Sequence, residues 1–349
     1  MQRDTKQILR FIGRTLLMAL PMPLIAVALY AVCDPYRVIR DYGGDYFSRS
    51  AEDVRTGINK GVVTLSAYNA AKARGEQPNS FIFGASISCC FDTRAWEEHL
   101  VDSVRIVPFH FDSSGESLVS LAAKIDYLCR DSARLRHALV VLDPLIMERG
   151  EVTGPFAMDP PALHPGAAYL LKFHYAYLRA AVNADFLKSV VGHAATGRPV
   201  QVGRNPIFQT QPVDYDLTVN QENLNIWDAL ISANPDAYYS SHPLAAPAEA
   251  VSESAPVLDE EKREALRAIA GRFSQAHTDY RIVIMPNRRK VCLNFGDLAF
   301  MRSTFAPDRV HDLSATMAAM LDADTMMYDN VHFRPAVALA AMDSVYGRR

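Results

Sequence analysis

The chain has 349 residues, 49% apolar and 21% charged, which is enough apolar material for one large core or two smaller ones. A formal net charge of -3 gives no reason to expect nucleic acid as a partner. Five cysteines, at 33, 89, 90, 129 and 292, make no C-x-x-C pair and no zinc-type spacing, and no Gly-rich phosphate loop or dinucleotide fingerprint is present, so neither metal nor cofactor is expected.

Residues 1–14 set Arg3, Lys6, Arg10 and Arg14 against one acid, Asp4, and the 19 residues 15–33 carry no charge. That length is close to what a bilayer-crossing helix needs. The sequence therefore predicts a cytoplasmic tip and transmembrane anchor over 1–33, with the remainder exported to the periplasm of a bacterial inner membrane. Ala26-Val27-Ala28 also fits a cleaved leader, but the apolar run continues to Cys33, which favours an uncleaved anchor. If the domain is exported, Cys129 has the option of pairing with Cys89 or Cys90.

Asp34-Pro35-Tyr36-Arg37 reads as a turn. Val54, Ile58, Val62, Leu65 and Tyr68 follow helical spacing within 52–74. The segment 34–75 is thus a juxtamembrane helical linker that packs on the main domain or bridges it to the membrane surface. From 76 onward the pattern is that of an α/β domain with buried parallel strands. Strands are expected over 80–85, 104–111, 137–143 and 280–285, and helices over 91–99, 117–129, 259–277, 298–304, 314–321 and from Pro335. Between about 146 and 257 the alternation is lost. A helix over 167–191, a short one near 222–232 and the Pro/Ala/Ser-rich 243–256 form an insertion that either shapes a substrate site or covers the sheet edge.

Gly84 and Ser86 follow the first strand. A glycine there permits a tight turn, and a serine at the start of a helix serves as its N-cap or, given a base, as a nucleophile. Asp329 and His332 stand three residues apart in a loop before the last helix. At that spacing the carboxylate can fold back to the imidazole Nδ1–H and stabilise the ring when it takes a proton.

Together, Gly84-Ala85-Ser86 after the first strand and Asp329-x-x-His332 before the last helix resemble the SGNH (GDSL-like) hydrolase superfamily. The match covers about 76–145 and 258–349 and is nearest to the membrane-anchored branch linked to acylation of exported polysaccharides, where the histidine is followed by Phe-Arg-Pro, as here. The resemblance implies a three-layer α/β/α sandwich with a mainly parallel, flavodoxin-like sheet. It also implies Ser86 as nucleophile, His332 as base, Asp329 as orienter, and the N–H groups of Ser86 and Gly115 as oxyanion donors. Ile87 stands where that branch often has arginine. The family's third block, Gly-x-Asn, has no match: Leu142-Asp143-Pro144 occupies its place, and an ionised Asp143 aimed at the oxyanion would repel it.

The function so implied is an exported, membrane-tethered esterase or O-acyltransferase acting through an acyl-enzyme on acetyl esters of a cell-surface or exopolysaccharide. Its partners would be that polysaccharide or another acyl ester, a membrane-bound acyl donor, or a polysaccharide-export complex. The alternative is a weak or inactive binding component of such a machine that retains the fold. Other residues carry less. Ser88 lies deeper in the helix than Ser86, His110 and Asp112 share a strand face as structural polar groups, and Arg288-Arg289-Lys290 is a small basic cluster.

Overall fold

The computed structural model describes residues 7, 11, 14–15, 20–47, 55–131, 134–148, 154–203, 208–209 and 213–347. Five strands form the central sheet: β1 Ser80–Gly84, β2 Pro108–Asp112, β3 His137–Leu142, β4 Asp279–Ile284 and β5 Val310–Asp312. All neighbouring pairs are parallel, and the order across the sheet is β5-β4-β3-β1-β2. Read by chain position this is 2-1-3-4-5, a doubly wound order whose direction reverses between β1 and β3. Ligand crevices in such sheets lie beyond the carboxyl ends of the strands at that reversal.

Side chains alternate along each strand between two cores. Phe81, Phe83, Phe109, Phe111, Val140 and Ile282 face helices α2 Lys60–Ala73, α3 Leu118–Arg130 and α8 Glu260–Ala276. Ile82, Leu139, Val141 and Val283 face Trp96, Leu321 and helix α9 Pro335–Tyr346. Both faces are therefore dry, which explains strands that read as unbroken apolar runs. Because α2 lies in the first core through Ala67, Tyr68 and Ala71, it belongs to the α/β domain's packing.

The N-terminal expectation is corrected. The run 15–33 contains one continuous described helix, α1 Pro21–Cys33, of 13 residues. At 1.5 Å per residue it spans about 20 Å, against a hydrocarbon layer of about 30 Å. Among the described residues no helix is long and apolar enough to cross a membrane. Residues 16–19 of the run, and Arg3, Lys6 and Arg10 before it, lie outside the described residues. Tyr30 fastens α1 to helix α4 Ala167–Ala181, its hydroxyl 3.0 Å from His174 Nδ1. Past α1, Asp34 accepts from the N–H groups of Val38, Ile39 and Arg40 at 2.9–3.1 Å, which makes the turn.

The insertion is ordered into short helices. The expected helix over 167–191 is two, α4 and α5 Ala184–Thr196, parted at Asn183, whose side chain caps the second. Helices α6 Asn225–Ala233 and α7 Pro235–Ser241 follow, and a two-stranded ladder pairs Asp214–Asp216 with Gln221–Asn223. Val219 O accepts from His110 N–H at 2.9 Å, so this segment shields the edge of β2. All five cysteines are free, so Cys129 pairs with neither Cys89 nor Cys90.

Candidate active site

β1 ends at Gly84, where a Cβ would lie 2.8 Å from Val141 O and 2.9 Å from Ser88 Cβ. Only glycine lets the chain pass so close to β3 and then turn sharply. The chain continues into a 3₁₀ turn, Ser86–Cys90, rather than directly into an α-helix. Ala85 holds the cap position and Ser86 makes no capping bond, so its hydroxyl is not spent on the helix end. Ser88 is fully buried and committed, donating to Ala85 O at 2.7 Å and lying 3.0 Å from His110 Nε2.

The loop 326–334 brings the histidine back from the far end of the chain. Met327 and Phe333 pair across it as an antiparallel bridge, Tyr328 N–H donates to His332 O and Arg334 N–H to Met326 O, each at 2.8 Å. Phe333 is buried edge-on against Phe91. Within the loop, Asp329 Oδ1 accepts from the N–H groups of Val331 and His332 at 2.7 Å. Its Oδ2 lies 2.8 Å from His332 Nδ1, and His332 Nε2 lies 2.9 Å from Ser86 Oγ. Partial burial works against the Asp329 charge, but the bonds from His332 and the two backbone N–H groups outweigh it and bring the carboxyl down to about 2. An ionised Asp329 favours the tautomer with Nδ1–H donating to it, leaving Nε2 to accept from the serine hydroxyl.

The three residues open onto a cleft of about 330 Å³. The insertion builds one wall of it, with Leu224, Trp227, Tyr238 and His242 facing in. The same segment grips the histidine loop: Tyr238 Oη–H donates to Tyr328 O at 2.9 Å, Tyr239 Oη–H to Met327 O at 2.8 Å, and Ala245 N–H to Asn330 Oδ1 at 2.7 Å. The cleft lining also includes Lys60, Asp112 and Glu222, none of which sequence reasoning placed in a site. Lys60 and Glu222 lie far apart in sequence and match no motif, so only the folded chain reveals them. The sequence reads Asp112 as a structural strand residue. It is held by Thr64 Oγ1 and Asn220 Nδ2 at 3.1 and 3.2 Å, and although burial opposes its charge, Lys60 keeps its carboxyl below the usual range. Burial lowers His110, which remains in the interior beside Ser88. Cys89 also lines the cleft, its thiol pushed up by contact with Cys90 and by burial.

Gly115, with φ of +66°, lines a neighbouring hollow with Ser117, Ser120 and Asp159, while Ser114 of the same turn lines the Ser86 cleft. Asp143 is not among the cleft residues. Its Oδ1 accepts from Leu145 N–H at 2.6 Å, so the carboxylate serves the start of the helix Pro144–Glu148. Arg288 is structural: buried, it donates to Ala245 O and Leu321 O and pairs with Asp324. Among the described residues no group of His, Cys, Asp and Glu is arranged to hold a metal ion.

No protein-family model matches the chain, and no curated protein matches it in sequence. The SGNH reading is corrected accordingly. Nothing beyond two short motifs supports that superfamily, and the membrane-anchored branch needs a span that α1 does not provide. Membrane tethering, the single-pass inner-membrane location and the membrane-linked polysaccharide function and partners lose their basis with it. The described chain is a mixed α/β domain with a parallel sheet, bearing a serine, a histidine and an aspartate in hydrogen-bond sequence at the sheet's crevice.

Proposed function

We propose that the chain is a serine-dependent acyl-transfer enzyme of the esterase kind. One observation carries this reading: His332 bonds Ser86 Oγ through Nε2 and Asp329 through Nδ1, at 2.9 and 2.8 Å. In the first step Ser86 Oγ attacks the ester carbonyl as His332 Nε2 takes its proton, and the imidazolium then protonates the departing alkoxide. In the second, water or an acceptor alcohol gives its proton to His332, attacks the acyl-enzyme and releases Ser86. Asp329 holds the ring and balances its transient charge. Oxyanion donors are assigned to the Ser86 N–H and to the N–H of the Ser114–Gly115 peptide. Ser86 precedes the first bonded N–H of its turn, that of Ser88, which donates to Ala85 O. Asp143, whose carboxylate accepts from Leu145 N–H, is not among the residues lining the cleft.

Fluorophosphonate labelling tests the assignment. The wild type and Ser88→Ala should label and Ser86→Ala should not. Labelling that survives in Ser86→Ala would remove Ser86 as nucleophile.

A further inference from the structure

Lys60 is an unusual residue to find on the wall of this cleft. It is the first residue of α2, and Asn59 before it accepts from Val62 N–H and donates to Met158 O at 2.7 Å, which fixes the helix start. At Gly61 a Cβ would lie 2.9 Å from Ser113 Oγ, so the helix end is pressed against the tip of β2. The Lys60 ammonium is thereby buried, with 6% of the residue exposed, yet among the described residues it makes no hydrogen bond. Asp112 Oδ1 is the nearest carboxylate at 3.6 Å, already taken by Thr64 and Asn220. The rings of Tyr215 and Phe47, with centroids 4.9 and 5.6 Å away, lend further support to the charge. A buried ammonium with unmade bonds is costly unless something entering the site completes them.

Glu222 faces the same cleft, and its carboxyl makes no side-chain hydrogen bond or ion pair among the described residues. It is not within ion-pair distance of Lys60, although the two charges influence each other. The cleft lining thus carries donors on one group and acceptors on the other that do not pair with each other. A substrate carboxylate would satisfy Lys60 but oppose Glu222, and a substrate ammonium would do the reverse. A hydroxyl accepts from one and donates to the other.

Deepening the acyl-transfer reading, on which it rests, we propose that Lys60 and Glu222 form a hydroxyl-binding subsite, so that the preferred substrate is an ester bearing a free hydroxyl. Trp227 and Tyr238, which also line the cleft, cover the apolar side of such a substrate.

The test uses matched short esters, plain or carrying a hydroxyl, a carboxylate or an amide, with the added group on the acyl chain in one set and on the alcohol in the other. The full-length wild type should favour the hydroxyl ester over its plain partner by about tenfold or more in kcat/KM in one set, as expected for bonds to charged groups. Lys60→Met and Glu222→Gln should each bring that ratio towards one. The same esters are titrated into Ser86→Ala by calorimetry, where tighter binding of the hydroxyl ester is expected without turnover. Ratios near one in both sets and equal binding to Ser86→Ala, or a preference for the carboxylate or amide ester, overturn the subsite. If Lys60→Met fails to fold, Glu222→Gln and the binding series decide. Absence of turnover with every ester, with hydroxyl-selective binding retained, overturns the acyl-transfer reading and upholds the subsite.

Discussion

At the scale of single residues the pivot is Asp329, which gives one oxygen to the backbone of its own loop and the other to the imidazole. Asp329→Asn keeps the shape but presents an amide where a carboxylate stabilised the Nδ1–H tautomer and the imidazolium. Ester turnover should fall by about 10³–10⁴ in kcat, while retained binding of the hydroxyl ester would show an intact cleft. The same residue has a stability signature. Its folded pKa, about 2, lies below the ordinary 3.8, so its contribution is fully present above pH 4 and is lost as pH falls through about 2. Thermal unfolding followed from pH 5 to 2 should decline less steeply in Asp329→Asn than in the wild type. Asp-x-x-His was legible in the sequence because both partners sit within one loop. Lys60 and Glu222 were not, because a cleft wall is made by packing and leaves no local spacing.

Among the elements, the histidine loop depends on the insertion as much as on its own bridge. Tyr239 is outside the cleft lining, yet its hydroxyl holds Met327 O. Tyr239→Phe removes that bond at a cost of about 1 kcal/mol and should loosen the loop, lowering kcat several-fold with little change in KM. Steady-state kinetics on the preferred ester checks this, and an unchanged kcat would show that the bridge between Met327 and Phe333 suffices. β3 was legible as a continuous apolar run, since burial on both faces removes the alternation, whereas β1 carries only Phe81-Ile82-Phe83 before its glycine and β2 is interrupted by His110. Three-residue β5 was missed, being too short for any period, and the break between α4 and α5 was hidden in an unbroken helical pattern until Asn183 is seen capping the second helix. The membrane span was misread for a related reason: an uncharged run reports composition, while the length of the helix is decided by the fold.

For the molecule as a whole, pH dependence has a second source in the interior. Lys124 Nζ lies 2.5 Å from Glu116 Oε1, both side chains almost wholly buried beneath the turn that follows β2. Burial pushes the Glu116 carboxyl up to about 7, with Lys124 opposing. Because the folded pKa exceeds the ordinary 4.5, the folded state gains from holding this proton, and that gain fades as pH rises towards 7. Glu116→Gln, the neutral counterpart of the protonated acid, should leave the melting temperature near pH 4.5 little changed and raise it near pH 7, flattening its dependence on pH between about 4.5 and 7. Melting curves across that range check both ends.

The separation of Ser86 from His332 along the chain, 246 residues, also sets a clock. During synthesis the serine, its strand and most of the sheet emerge long before the loop that activates it. At about 5–20 residues per second Ser86 waits roughly 12–50 s for His332. On the acyl-transfer reading, nascent chains lacking the His332 loop carry an inert serine, acyl chemistry begins only when that loop and the helix after it have docked, and labelling of Ser86 becomes a timer for that step.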